Sequence, residues 1–216
     1  MSKPKDYLSI VDHYEKCFEE HGDSHLGVDW PNEKDVLTRY RVMLELVSKD
    51  NKQKTLLDFG CGLSHFYDFI KKQNQKTIVY SGLDLSKKMI AASKIKYPHN
   101  KYYILDILKD NSLPVFDYII MNGVFTEKLD LSYNEMFAFF KKMVKKIFSK
   151  VNIGLAFNTM SKHVDWERDD LFHLSFDELA SFLTNEVSKD FIIRNDYGLY
   201  EYTTFVYNNQ KDEYHG

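Results

Sequence analysis

Apolar stretches and helix-periodic segments alternate along most of the chain. Five short apolar stretches, each bounded by polar or glycine residues, predict strands at residues 54–58, 77–83, 101–105, 116–121 and 152–158. Residues 132–148 have helical periodicity instead, with apolar side chains on one face and lysines on the other. Ser132 and Glu135 have the spacing of a capping box, which marks the start of that helix. Strands that alternate with helices predict an α/β fold with a doubly wound, mostly parallel sheet.

The two ends of the chain depart from this alternation. Residues 5–49 predict two helical pieces, interrupted at 21–27 and at Pro31. Near the other end, strand-like runs at 191–194 and 200–207 are joined by a short turn. These two runs predict an antiparallel hairpin at the edge of the sheet.

Composition agrees with one compact domain. The chain has 216 residues, of which 44% are hydrophobic, and this is enough for a single buried core. We expect residues 51–208 to form the α/β domain and residues 1–50 to be a helical part of the same domain. Residues 209–216 are expected to form a frayed tail.

Charge and cysteine content exclude several classes of partner. The net charge is −3 and the lysines are dispersed, so we expect no nucleic-acid partner. No apolar run approaches the roughly 20 residues that span a bilayer, and the first residues have no secretory-type apolar segment, so we expect no membrane association. Cys17 and Cys61 supply neither a disulfide framework nor a metal-ligand spacing. We therefore expect a reduced, cytoplasmic protein without a metal.

The most informative segment follows the first predicted strand. Asp58 ends that strand, and Gly60 and Gly62 form a turn before a helical stretch, which is the order of a nucleotide-binding corner. A dinucleotide-binding motif would place its last glycine at residue 65, where the chain has His65. A carboxylate at Asp58 would repel a pyrophosphate but attract an ammonium group or ribose hydroxyls. The segment therefore favours an aminoacyl nucleoside over a dinucleotide.

Polar residues also end the next three predicted strands. Asp84 lies 22 residues beyond Gly62, which is the spacing of an acid that accepts hydrogen bonds from ribose hydroxyls. The other reading of Asp84 is an ordinary turn residue. Asp106 ends the third predicted strand and Asn122 follows the fourth. Because the carboxyl ends of parallel strands share one sheet edge, we expect these side chains to lie close together.

The segment from Asp58 to Gly62 resembles the first motif of class I S-adenosylmethionine-dependent methyltransferases, with Ser64 in place of the third glycine. Residues 21–46 and 196–202 are similar to the leader and tail of a bacterial subgroup of small single-domain enzymes. The resemblance implies a Rossmann-like, seven-stranded sheet whose seventh strand lies antiparallel beside the fifth. It also implies that the leader, residues 1–50, folds over the cofactor as a lid.

The resemblance further implies a set of residues that bind S-adenosylmethionine. In that family, the acid at Asp106 accepts from the adenine amino group while Ile107 packs on the ring. Trp30, Tyr14 or Arg39 would lie near the methionyl end, with Arg39 pairing with the carboxylate. The alternative is that Arg39 is a solvated helix residue and Trp30 a packing anchor. The full set of implied cofactor residues is Asp58, Phe59, Gly60, Cys61, Gly62, Asp84, Leu85, Asp106, Ile107, Asn122, Trp30 and Arg39.

The acceptor side carries the weaker predictions. His163 and Asp165 follow the fifth predicted strand and are candidate catalytic residues, His163 as a base with a pKa near working pH. The candidate acceptor-binding residues are Glu127, Trp166, His173, Tyr197 and Tyr200. A metal held by His163, Asp165 and His173 is a less favoured reading. The plainer alternative is a solvated loop with local charge pairs.

Three function classes compete at this stage. We favour in-line methyl transfer from S-adenosylmethionine to a small-molecule or sugar-type acceptor, by a monomer or a homodimer. The second class, a nucleic-acid or protein methyltransferase, is disfavoured because Asn122 is followed by Gly-Val-Phe and not by the Pro-Pro-aromatic segment of adenine-N6 enzymes. The third class is a protein that binds S-adenosylmethionine without catalysis, since the cofactor motif does not report on the acceptor site.

Overall fold

The computed structural model describes residues 8–208, so the expected tail at 209–216 lies outside the described residues. The sheet consists of β1 (Lys54–Phe59), β2 (Ile78–Leu83), β3 (Lys101–Tyr103), β4 (Phe116–Phe125), β5 (Val151–Ser161), β6 (His173–Leu174), β7 (Phe191–Arg194) and β8 (Glu201–Tyr207). The helices are α1 (Leu8–His21), α2 (Glu33–Leu44), α3 (His65–Lys72), α4 (Lys87–Lys96), α5 (Tyr133–Phe148) and α6 (Phe176–Glu186), with a 3₁₀ turn at Leu26–Val28.

The strand order confirms the expected fold class. Seven strands follow one another in the order β3-β2-β1-β4-β5-β8-β7, and the two-residue β6 pairs with the end of β5. All pairings along this path are parallel except those of β8, which is antiparallel to both β5 and β7. The C-terminal strand therefore lies inside the sheet beside the fifth strand, and β7 forms the edge.

Apolar side chains cover both faces of the sheet. On one face, α5 and α6 bury Phe140 and Leu183 against Phe157 of β5. On the other face, α2 and α3 bury Met43 and Phe66. The capping box of Ser132 and Glu135 is present and fixes the start of α5. Because helices cover both faces, the ligand-accessible part of the sheet is the edge where the strands end.

The two helices of the leader, α1 and α2, differ in how much of their surface is buried against the rest of the protein. Helix α2 is anchored in the core, since Val36, Tyr40, Val42 and Met43 are buried. Helix α1 has no fully buried side chain and lies beside α4. Glu15 accepts a hydrogen bond of 2.7 Å from Ser86 Oγ, and its other oxygen lies 2.9 Å from Lys88 Nζ. Lys88 also pairs with Glu19 at 2.6 Å. Polar contacts at the surface thus hold α1 over the carboxyl end of β2.

Within residues 8–208, no helix combines the length and apolar character needed to cross a bilayer.

Candidate functional site

A cavity opens at the carboxyl ends of β1, β2 and β4, beneath the leader. All the predicted cofactor residues except Arg39 line its wall. The remaining wall includes Leu105, Phe139 and Met143 beside Ile107, and three residues of α1, which are Ile10, Val11 and Tyr14. The cavity therefore joins the strand-end residues to the underside of the leader.

The glycine turn approaches this cavity closely. Gly60 and Gly62 have φ angles of +76° and +49°, a region that strongly favours glycine. A Cβ atom on Gly60 would lie 2.8 Å from Val124 Cγ2, which is too close for van der Waals contact. Ser64, in the place of the third glycine, is also left-handed, and its Oγ lies 3.1 Å from Tyr102 Oη. The turn thus presents backbone without side-chain bulk to the cavity.

Asp84 joins the glycine turn to the start of α4. Its Oδ2 accepts a hydrogen bond of 2.9 Å from the Gly62 amide, and its Oδ1 accepts one of 2.8 Å from the Ser86 amide. Burial raises the pKa of Asp84, while the amide donors oppose that rise. Each carboxylate oxygen can accept a second hydrogen bond, so both remain available to a ribose hydroxyl pair.

Asp58 is a buried carboxyl group at the centre of the site. Its side chain is only 3% exposed, and the Tyr80 hydroxyl donates a hydrogen bond of 2.8 Å to Oδ2. Burial raises the pKa of Asp58 to about 7; the Tyr80 hydrogen bond opposes the rise and the nearby Asp84 adds to it. A cationic ligand group beside Asp58 would favour its ionised form.

The residues fit the cofactor that the sequence implies. The Asn122 Oδ1 atom is buried and has no hydrogen-bond partner among the described residues. A buried acceptor without a hydrogen-bond partner is unfavourable for the folded protein until a donor binds to it, and a ligand ammonium group is such a donor. Asp106 and Ile107 lie farther along the wall, beside Phe139 and Met143. The wall therefore offers acceptors for an aminoacyl nucleoside and apolar surface for an adenine ring.

Trp30 lines the cavity, but Arg39 does not. Arg39 Nε donates a hydrogen bond of 2.8 Å to Glu201 Oε2, and the guanidinium lies 4.2 Å from the centroid of the Trp30 ring. Arg39 thus pairs with Glu201, and its pairing with a cofactor carboxylate stays a prediction. The alternative of a solvated Arg39 is wrong, because its side chain is only 12% exposed.

The predicted catalytic residues lie away from the cavity. His163 and Asp165 are exposed, and the His163 ring stacks on Phe176 with the centroids 4.8 Å apart. The reason is the course of the chain after β5. Ser161 Oγ accepts the His163 amide at 2.9 Å, which turns the loop towards α6. This geometry does not bring His163 or Asp165 to the cavity wall, which is a correction to the sequence-based assignment.

The other predicted acceptor residues, Glu127 included, are also not among the residues that line the cavity. Trp166 and Tyr200 are 69% and 67% exposed. His173 is buried, with Nδ1 at 2.6 Å from the Ser161 carbonyl and Nε2 accepting from the Arg168 amide, so it shapes the loop. The Tyr197 hydroxyl lies 3.0 Å from Thr203 Oγ1. None of these four lines the cavity.

No metal group forms from the predicted ligands. Among the described residues, the group that brings three ligand atoms within 4.8 Å of one another is His13, Cys17 and Asp29. His13 Nε2 lies 2.7 Å from Asp29 Oδ2, so a hydrogen bond already accounts for that pair.

Glu127 lies beside the leader and has an unusual environment. Its side chain is half-buried and makes no hydrogen bond or ion pair with a residue in the 8–208 range. Burial raises the pKa of Glu127 to about 7, and the nearby Asp29 and Asp170 contribute. The Tyr14 phenol lines the cavity. Burial raises the pKa of Tyr14, and the negative charge of the nearby Glu127 carboxylate adds to this rise. Sequence spacing gave no signal for this pair, because α1 and the end of β4 meet only in the fold.

Comparisons with known proteins agree with this geometry. Residues 57–146 match a family model described as a methyltransferase domain. A Mycobacterium tuberculosis protein named "Putative methyltransferase Rv1506c" is 28% identical over 153 residues, which cover 69% of the chain and 90% of the relative.

Two solved structures show the same fold. Magnesium protoporphyrin IX methyltransferase from Synechocystis, with bound S-adenosylmethionine, has a TM-score of 0.66 at 16% identity and covers 96% of the chain and 99% of its own. A Burkholderia thailandensis 1,6-didemethyltoxoflavin-N1-methyltransferase, with bound S-adenosylhomocysteine, has a TM-score of 0.66 at 12% identity, covering 96% and 91%.

The strand order agrees with the fold of these solved methyltransferases, and the strand-end carboxylates lie at the sheet edge where such α/β folds bind ligands. Together with the match of residues 57–146 to the methyltransferase domain model, this geometry supports a class I S-adenosylmethionine-dependent methyltransferase. The molecules bound in the two solved structures support S-adenosylmethionine as the cofactor.

Proposed function

We propose that the protein transfers a methyl group to a small-molecule acceptor that enters the cavity beside Tyr14. The observation that carries this proposal is the continuity of the cavity, which runs from Asp58 and Asn122 to the underside of α1. Space that is roofed by the leader suits a small acceptor better than a folded macromolecule. The two structural neighbours are named for porphyrin and toxoflavin substrates, which also supports a small acceptor.

Different cavity residues are proposed to bind different parts of the cofactor. In this proposal Asp84 holds the ribose hydroxyls, Asp106 and Ile107 hold the adenine, and Asn122 and Asp58 hold the ammonium end. S-adenosylmethionine supplies a methyl group already activated on a sulfonium. The protein therefore needs mainly to orient the acceptor in line with that methyl group.

A hydroxyl acceptor, including one on a sugar, must also lose its proton. Glu127 lies near enough to Tyr14 of the cavity wall for its charge to act on the phenol, although Glu127 does not line the cavity itself. Its side chain has no hydrogen-bond or ion-pair partner among the described residues, so we propose it as the group that receives this proton. The new carbon–oxygen bond forms as the carbon–sulfur bond breaks. The proton moves from the hydroxyl to the Glu127 carboxylate, and the products are the methylated acceptor and S-adenosylhomocysteine.

The experiment combines cofactor binding with a transfer assay. Calorimetric titration with S-adenosylhomocysteine establishes the site, and incubation of metabolite fractions with a labelled methyl donor identifies the acceptor. We expect label in a small-molecule fraction, and a Glu127→Gln variant that binds the cofactor normally but transfers slowly to a hydroxyl. Binding without transfer to any fraction would support the non-catalytic alternative. Label in nucleic acid or protein, with salt-sensitive retention on heparin, would support the macromolecular alternative.

A further inference from the structure

We propose that Arg39 is a positioning residue, which acts through Glu201, Asn158 and Trp30. It would fix, against the bound cofactor, the local turn that Asn122 and Gly123 make within β4, where the register with β5 shifts. This inference rests on the cofactor-binding part of the proposed function and is independent of the acceptor. Arg39 lies on α2 of the leader, whereas Gly123 lies near the end of β4. The contacts between them form two routes that meet at the turn.

The first route is a chain of buried hydrogen bonds. Arg39 Nε donates to Glu201 Oε2 at 2.8 Å, and Asn158 Nδ2 donates to Glu201 Oε1 at 3.1 Å. Asn158 Oδ1 in turn accepts the Gly123 amide at 2.8 Å. Because a carboxylate only accepts, Glu201 forces the amide nitrogen of Asn158 to face it and directs the amide oxygen to Gly123. The carboxylate thus determines the orientation of the side chain that holds the turn.

The second route runs through the Trp30 ring. The Arg39 guanidinium lies 4.2 Å from the centroid of this ring, in the geometry of a cation–π contact. The Trp30 ring also packs against Gly123, where a Cβ atom would lie 2.7 Å from Trp30 Cζ2. Gly123 has a φ of +79°, so the turn needs glycine both for its backbone and for the ring. Arg39 therefore holds the turn from the leader side as well.

The turn on which both routes converge includes Asn122, a residue proposed to bind the cofactor. Asn122 lines the cavity, and its Oδ1 atom is buried without a partner in the described part of the chain. Movement of Gly123 would displace this acceptor, because the two residues are adjacent. Arg39 consequently affects cofactor binding without touching the cofactor.

The buried pair is not explained well by stability alone. Glu201 is 1% exposed and Arg39 is 12% exposed, and ion pairs at such depth lose hydration that their attraction barely offsets. Neutral packing would serve a purely structural purpose equally well. Burial raises the pKa of Glu201, and the Arg39 guanidinium and the Asn158 amide oppose that rise. A permanently charged donor beside the carboxylate therefore favours its ionised, acceptor-only form, which the Asn158 orientation requires.

The test measures binding and the turn separately. We expect Arg39→Met to raise the dissociation constant for S-adenosylhomocysteine at least tenfold, measured by calorimetry at a temperature where the variant is folded. Arg39→Lys keeps the charge and an N–H donor but loses the planar guanidinium over Trp30, so it should restore the constant in part, to a value clearly below that of Arg39→Met. In the free protein, hydrogen exchange of the Gly123 amide should accelerate in Arg39→Met more than exchange of amides in β1.

The matched control is Arg194→Met. Arg194 pairs with Glu45, just after α2, and with Asp196, but it has no contact with the turn. This variant should bind S-adenosylhomocysteine within twofold of the starting protein. If Arg39→Met does not fold, Glu201→Gln replaces it and should give the same two changes.

Normal affinity in Arg39→Met would overturn the proposal, as would a weaker affinity that Arg39→Lys does not partly restore. Unchanged exchange at Gly123 would do the same. If the unmodified protein does not bind S-adenosylhomocysteine, the cofactor assignment itself fails, and that result is distinct from the others.

Discussion

Ionisation of Asp58 should have opposite effects on stability and on binding. The ionised carboxylate destabilises the free protein, because it is buried, but strengthens binding of a cationic ligand group. Asn is nearly isosteric with Asp and can accept the Tyr80 hydroxyl, but it carries no charge. We therefore expect Asp58→Asn to stabilise the free protein above pH 7 and to weaken binding of the cofactor's ammonium end.

The magnitude follows from the pKa of Asp58. The pKa of about 7 in the folded protein lies above the ordinary aspartate pKa of 3.8, so the folded state holds the proton more tightly than the unfolded state. The favourable contribution of that proton is complete at low pH, and it is lost as pH rises from about 4 through 7. This difference corresponds to about 4 kcal/mol at pH 8. The neutral Asn side chain avoids the loss, less about 1–3 kcal/mol for an unpaired amide group.

The assay is denaturant unfolding of both proteins at pH 5 and pH 8, without cofactor. The variant should gain stability relative to the starting protein as pH rises, with most of the gain between pH 5 and 8. In parallel, the affinity of the starting protein for S-adenosylhomocysteine should increase with pH up to about 8, and that of the variant should not. A stability gap that stays constant or narrows with pH would refute the reasoning.

Three further predictions concern single positions. Asp84→Ala should weaken S-adenosylhomocysteine binding at least tenfold in calorimetry and lower the unfolding free energy by about 2–4 kcal/mol, because the Gly62 and Ser86 amides lose their acceptor; unchanged affinity would disprove the ribose assignment. Gly60→Ala should cost about 1–2 kcal/mol in chemical denaturation, since φ is +76° and Val124 is in the way, and equal stability would contradict the geometry. His163→Ala should leave the methyl-transfer rate within twofold, because the ring packs outside the cavity, and a large loss of rate would restore it as a base.

Much of the fold could be predicted from local patterns. Strands β1, β2, β4 and β5 are fully or mostly apolar because both faces of the sheet are covered, and such runs are visible in a sequence. Strand β3 is shorter than predicted, with three residues, because its pairing with β2 ends at Tyr103; Ile104 is exposed and Leu105 lines the cavity. The two-residue β6 has no periodic pattern of its own, and its pairing depends on where β5 ends.

The candidate site divides in the same way. The strand-end residues could be placed because the carboxyl ends of parallel strands share one edge, so Asp58, Asp84 and Asn122 converge whatever the loops do. Arg39 and Glu201 are 162 positions apart, and no local pattern announces that they pair. His163 and Asp165 lie outside the cavity because proximity to a strand end does not fix the course of the eleven-residue loop between β5 and β6.

The uneven attachment of the leader has a consequence for ligand exchange. Helix α1 roofs the cavity but buries no side chain completely, and its ties to α4 are hydrated ion pairs, whereas α2 is embedded in the core. Regions with little buried apolar surface open at low free energy while the rest of the molecule stays folded. We therefore expect S-adenosylhomocysteine to leave when α1 moves away from α4 while α2 stays in place. Salt screens the ion pairs of Lys88 and should make this movement easier.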